Sequence, residues 1–191
     1  MLGNDKWGDC TIAGAAHLLD AWNWDYKSLL SAVPDATDAV KQYFTLTGGD
    51  DTGLVEATVL HVWRTQGLFD PASKILAYAP TEGALGIHAA VADFGGCYLG
   101  VQLPQSAEEQ FQHGEPWTIV PNDPIVGGHC IVAVGYDPQG VDVVTWGRVQ
   151  RVSYPWLERY CDEAWAIVSP EQAAKVDIDR LLADLNQVHH D

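Results

Sequence analysis

The sequence predicts an α+β fold, and three observations carry that expectation. Amphipathic segments with helix stops fill the first half, β-rich runs separated by turn residues fill the second, and a long apolar-periodic segment closes the chain. A single domain over 1–191 is expected, with a helical part at about 1–95, a β-rich part at about 96–169 and a C-terminal helix at about 170–187. One core suffices for this length, because 191 residues, 47% hydrophobic and 19% charged, bury a substantial interior.

The elements follow in order. Gly3 to His17 predicts a loop that delivers Cys10 to the first turn of a helix: Gly8 allows a tight turn, Asp9 is a good N-cap, and Ile12, Ala13, Ala15, Ala16, Leu18 and Leu19 are interrupted only by Gly14. That helix extends to about Asp25. Ser28 to Pro34 is a connector, Thr37 to Thr45 a short helix closed by Gly48-Gly49, and Leu54 to Gln66 a stronger helix stopped by Gly67. Ser73 to Tyr78 predicts a short strand, Thr81 to Asp93 a helix, and Cys97 to Leu103 a strand stopped by Pro104. Gln105 to Val126 is expected to be mostly loop, since Pro116, Pro121 and Pro124 oppose regular structure. A buried strand from His129 to Tyr136, a turn at 137–140 and a partner strand from Val141 to Trp146 come next. Trp156 to Tyr160 predicts a helical turn, Glu163 to Val168 a last strand and Pro170 to Asn186 an amphipathic helix.

Charge narrows the function. With 10 basic and 26 acidic residues the net charge is −16, which opposes binding to nucleic-acid phosphates or anionic membranes and leaves peptide, protein, sugar or cationic partners. Cys10, Cys97, Cys130 and Cys161 lie far apart with no C-x-x-C spacing, so reduced thiols are expected and no metal or cofactor. The chain shows no signal peptide and no run near the roughly 18 apolar residues of a membrane helix, although only nine residues precede Cys10. The eight tryptophans are scattered, as expected of core and loop anchors.

Two residues suggest chemistry. A thiol at a helix N-terminus feels the positive end of the dipole and ionises more readily, though a free cysteine is commonly just a small buried hydrophobe. Cys10 fits either description. Its base would come from afar, and His129, at a strand start after Gly127-Gly128, is the candidate; the alternative is a histidine hydrogen-bonded at a strand end. His17 lies two helical turns beyond Cys10, too far to serve, and strand alternation turns Cys130 away from His129.

A cysteine at a helix start, then Gly-His leading a hydrophobic strand to Val134-Gly135-Tyr136, then a second strand ending in Thr145-Trp146-Gly147, resembles the papain-like cysteine peptidase superfamily. The separation of Cys10 and His129 is somewhat shorter than the roughly 130 to 150 residues of that family's signature. The helix ending in Gln66-Gly67-Leu68 and the helix-to-strand segment 84–103 extend the resemblance over most of 3–168. The chain also resembles bacterial and phage proteins with a Leu-x-Asn-Asp-x-x-Gly-Asp-Cys start, Gly-Gly-His and Val-Val-Thr-Trp-Gly.

The resemblance implies a papain-like fold with the cysteine helix packed on an antiparallel sheet, and a peptide or protein substrate. It makes Cys10 the nucleophile and His129 the general base and then acid. Asn4 stands where the family has an oxyanion-binding glutamine, although Asn-Asp is also a common turn pair. Trp146 corresponds to the tryptophan that shields the histidine's hydrogen bond, and Trp146 and Gly128 are expected to border the substrate. The family's histidine-orienting asparagine falls on Val144 if counted from the Trp-Gly pair, so Thr145, sixteen residues after His129, is the nearest substitute and Asp142 a second. Alternation puts Thr145 on the wrong face, so a bulge or register shift is required. The implied location is cytoplasmic or a phage virion. A papain-fold binding or structural protein with little activity is the alternative function, and an acidic inhibitor of a basic partner a third.

Overall fold

A computed structural model describes residues 1–26 and 33–173. Its helices are α1 (Cys10–Tyr26), α2 (Ala36–Thr47), α3 (Glu56–Thr65), α4 (Gly83–Phe94), α5 (Gln105–His113), α6 (Tyr154–Tyr160) and α7 (Pro170–Ala173). Six strands, β1 (Ala77–Pro80), β2 (Cys97–Pro104), β3 (Ile125–Asp137), β4 (Gly140–Thr145), β5 (Arg148–Ser153) and β6 (Cys161–Val168), form one antiparallel sheet in the order β1-β6-β2-β3-β4-β5. The α+β expectation holds.

Alternation along the strands separates two cores. Tyr98, Cys130, Val132 and Ile167 face α1, α2 and α3, where they meet Ile12, Leu18, Tyr43, Leu60 and Trp63. Leu99, Val101, Ile131, Ala133 and Val143 face the other way, toward Ile87 of α4, Ala107 of α5 and Trp156 and Leu157 of α6. The central strand β2 is therefore covered on both sides, and only Gln102 along it is exposed. Gly14 is a contact rather than a break: a Cβ there would stand 3.0 Å from Cys130 Sγ and from Tyr98 Cε2, so glycine lets α1 approach the sheet closely. The Tyr98 hydroxyl donates to the Thr11 carbonyl and ties the first turn of α1 to β2.

Several boundaries differ from the sequence reading. The 105–126 stretch is not mostly loop, because α5 fills its start. Its inner face is Ser106, Ala107 and Gln110, and the Gln110 amide exchanges hydrogen bonds with Thr118; polar groups do the packing that an apolar period would have advertised. Strand β5 lies in a stretch given no element, and the buried side chains along it are Gln150 and Val152. The early strand sits later, at Ala77–Pro80, and β3 starts four residues before His129. Of the C-terminal helix, Pro170–Ala173 is helical and the rest lies outside the described residues, as does most of the Ser28–Pro34 connector. Asp9 does not cap α1 with its side chain; Ile12 and Ala13 bond to its backbone carbonyl instead.

Candidate active site

One irregularity of β3 fixes the histidine side of the site. Gly135 pairs with Asp142 while Ala133 pairs with Val143, so β3 carries one extra residue, Val134. Without that bulge, continuing the hairpin register would set Val144 and Trp146 on the face of His129 and Thr145 on the opposite one. With it, Val132 faces Val144 and Thr145 moves onto the face shared by His129 and Ile131. The hydroxyl of Thr145 is then 2.8 Å from His129 Nε2, and both residues are buried.

Trp146 reaches the same ring by a different route. Thr145 and Arg148 form the last β4–β5 pair, so Trp146-Gly147 is a two-residue hairpin turn, not strand, with φ of 45° and 77°. Such turns need positive φ at both central residues, a conformation costly for tryptophan. Released from strand alternation, the indole stacks on His129 with centroids 4.8 Å apart and planes 23° apart. Phe111 and Trp117 pack edgewise against the indole from behind. Asp142 is taken elsewhere: it accepts from Arg151 at 2.9 Å, on the other face of β4 from Thr145.

The cysteine side is held by loop contacts. Gly8 N–H donates to Asp51 Oδ1 at 2.9 Å, Tyr43 donates to the same oxygen at 2.7 Å, and Trp7 packs edgewise on Phe44. Cys10 opens α1 half-buried, with the Cys130 backbone N–H directed at its sulfur. That amide follows His129 directly in β3. No hydrogen bond joins Cys10 to His129 among the described residues. Asn4 donates to the Trp7 carbonyl at 3.2 Å, as the turn reading expects, and its amide also lies beside the Asp9 carboxyl. Asn4 and Trp146 nevertheless line one open cavity of about 360 Å³ together with Phe111 and Gln112. Gly128 is exposed on β3, with open space where a side chain would stand.

The electrostatics correct one expectation. The Cys10 thiol is pushed up, not down, by burial first and then by the carboxyl of Glu56, while the Cys130 amide opposes the shift. His129 is pushed down from 6.5 to about 4 by burial. At neutral pH the free protein therefore holds an uncharged thiol and an uncharged imidazole. All four cysteines are free thiols, and among the described residues no cluster of three or more metal-ligating side chains occurs.

Glu56 was not singled out from the sequence. A signal was present, because Glu56, Val59, Leu60 and Trp63 share the i, i+3, i+4, i+7 stripe that faces the core. The residue is 3% exposed and neither carboxyl oxygen meets a hydrogen-bond donor nitrogen or oxygen.

These features together define a papain-like α+β fold with a cysteine at a helix start and a histidine on the facing sheet. The structure superposes on xylellain, a cysteine protease from Xylella fastidiosa, with a TM-score of 0.67 and 17% identity over 85% of this chain and 80% of that one. No protein-family model and no curated sequence matches the chain. At that identity the likeness establishes the fold.

Proposed function

We propose that the protein is a papain-like thiol hydrolase that cleaves peptide or protein amides, with Cys10 as nucleophile and His129 as base. The observation that carries this reading is the Thr145–His129–Trp146 arrangement. A hydroxyl accepting from or donating to Nε2 fixes the ring's orientation, and the indole covers that bond, leaving Nδ1 for the nucleophile. Cys10 Sγ would attack the carbonyl carbon as His129 takes the thiol proton. His129 then returns that proton to the amine as the C–N bond breaks, and water releases the acyl group.

The oxyanion would be held by the Cys10 backbone N–H, with the Asn4 amide as second donor once it leaves Trp7. The substrate would run along the β3 edge. Cys130 turns its N–H to Cys10 and so away from β2; Gly128, two residues earlier, presents its backbone groups on the same side. The neutral Cys10 and His129 imply that the proton moves when substrate is bound, in a site that tightens on binding.

The same neutrality supports a second reading, a papain-fold binding protein with little turnover. A thiol-directed alkylating probe with peptide mapping separates the two. The enzyme reading expects Cys10 to label faster than Cys161 at pH 7.5, His129→Ala to slow that labelling at least tenfold, and a fluorogenic peptide library to be cleaved. Labelling indifferent to His129→Ala, with no peptide cleaved, establishes the binding protein.

A further inference from the structure

On the face of the sheet that carries α1, two acids meet over a residue without a side chain. Gly100 pairs with Glu163 across β2 and β6, and a bulge at Asp162 follows. A Cβ at position 100 would lie 3.1 Å from Glu56 Oε1, 3.1 Å from Glu163 Oε1 and 2.6 Å from Glu163 Cγ. Glycine here therefore makes the space that both carboxyls fill. Glu163 is held by Trp165, whose indole N–H donates to its other oxygen at 2.9 Å. Glu56 has no nitrogen or oxygen donor of that kind and no access to water; the Cys130 thiol is the polar group beside it.

Burying an unpaired carboxylate is costly, and a second carboxyl nearby raises that cost, so the group keeps its proton. The titratable groups around Glu56 are Cys10 on α1, Cys97 and Tyr98 on β2, Cys130 on β3, and Cys161, Asp162 and Glu163 on β6. None is cationic. Cys130 links the acid to the nucleophile, since its thiol lies against Glu56 while its backbone N–H faces Cys10 Sγ.

We infer that Glu56, facing Glu163 across Gly100, is a positioning residue for Cys10: uncharged, it fills the space over Gly100 and leaves the thiol free to react, and charged, it suppresses thiolate formation. The inference rests on Cys10 being the reactive thiol, but not on turnover. Its direction agrees with burial and Glu163 raising the Glu56 carboxyl from 4.5 to about 8. The alkaline activation expected of a thiol enzyme is then blunted just where the thiol would begin to ionise.

The test is the pH profile of alkylation at Cys10 by iodoacetamide, read by mass spectrometry of the Cys10 peptide between pH 6 and 10. Glu56→Gln removes the switch and is expected to leave the rate unchanged at pH 6.5 while raising it about tenfold near pH 9, one unit of thiol pKa. Glu163→Gln removes the second-largest of the effects that hold Glu56 neutral, burial being the largest, so Cys10 labelling is expected to fall between pH 7 and 8. The two amides thus move the profile in opposite directions, which a packing defect shared by both would not produce. Parallel shifts, or two profiles matching the parent, overturn the inference. If Glu56→Gln does not fold, the Glu163→Gln profile decides alone: a fall supports the switch, and no change or a rise refutes it. Because the readout is labelling, a chain that cleaves no peptide can still pass this test, and failure here leaves the hydrolase reading standing.

Discussion

The two sides of the site are built differently. His129 is fully engaged: Thr145 bonds its ring, Trp146 stacks on it, and Phe111 and Trp117 support the indole. Around Cys10, by contrast, the buried oxygens of Asp9, Thr11 and Glu56 lack hydrogen-bond partners, and the Asp9 carboxyl is raised from 3.8 to about 6 by burial. His129 is positioned by packing on its ring, whereas Cys10 sits near Glu56, whose protonation lets it be buried, and beside Asp9, whose carboxyl is pushed up less far.

The largest effects are expected from removing Cys10 or His129 itself. If Cys10 and His129 are the proposed nucleophile and base, Cys10→Ala and His129→Ala should each lower kcat/KM for peptide cleavage by at least about 10³-fold, because such a pair acts as a unit. A loss of tenfold or less in either variant would separate them. Thr145→Val keeps volume and removes the bond to Nε2, and a loss of about 10- to 100-fold in kcat with little change in KM is expected for a mis-oriented base. An unchanged kcat would assign that orientation to Trp146 alone.

The cysteine side is sharpened by stability rather than rate. Glu56 titrates near 8 in the fold against an ordinary 4.5, so the folded state binds its proton more tightly. That contribution is fully present below about 4.5 and is lost as the pH rises through 8. Glu56→Gln should therefore be more stable than the parent by roughly 1–3 kcal/mol at pH 8.5 in urea unfolding and nearly equal to it at pH 4. Equal stability at both values would mean that the carboxylate finds a partner when charged. The smallest effect is expected at Asn4. If its amide moves to the oxyanion, Asn4→Ala should lower kcat by about tenfold; a turn residue bonded to Trp7 would instead change only the melting temperature.

Parts of this architecture were legible because they depend on local chemistry. The Cys10 helix, the Gly48 and Gly95 stops with their left-handed backbone, and the apolar stripes of α2 and α3 follow from period and capping alone. Helix α5 and strand β5 were illegible for the converse reason. Their inward faces carry Gln110 and Gln150, whose burial becomes tolerable only when Thr118 and Glu115 supply hydrogen-bond partners from other segments of the chain.

What the sequence by itself determined is the order of parts: a cysteine at a helix start, a histidine on a later strand, and a threonine and tryptophan one hairpin beyond. Residue order cannot say which side of a strand faces its neighbour, since one inserted residue reverses every side chain after it. The tertiary structure decided that through the bulge at Val134, which brings Thr145 to His129, and through the Trp146-Gly147 turn, which lays the indole on the ring. It also decided the charge at the helix start. There burial, with Glu56 and Asp9, outweighs the dipole that position alone suggested, because desolvation is a property of the packed interior.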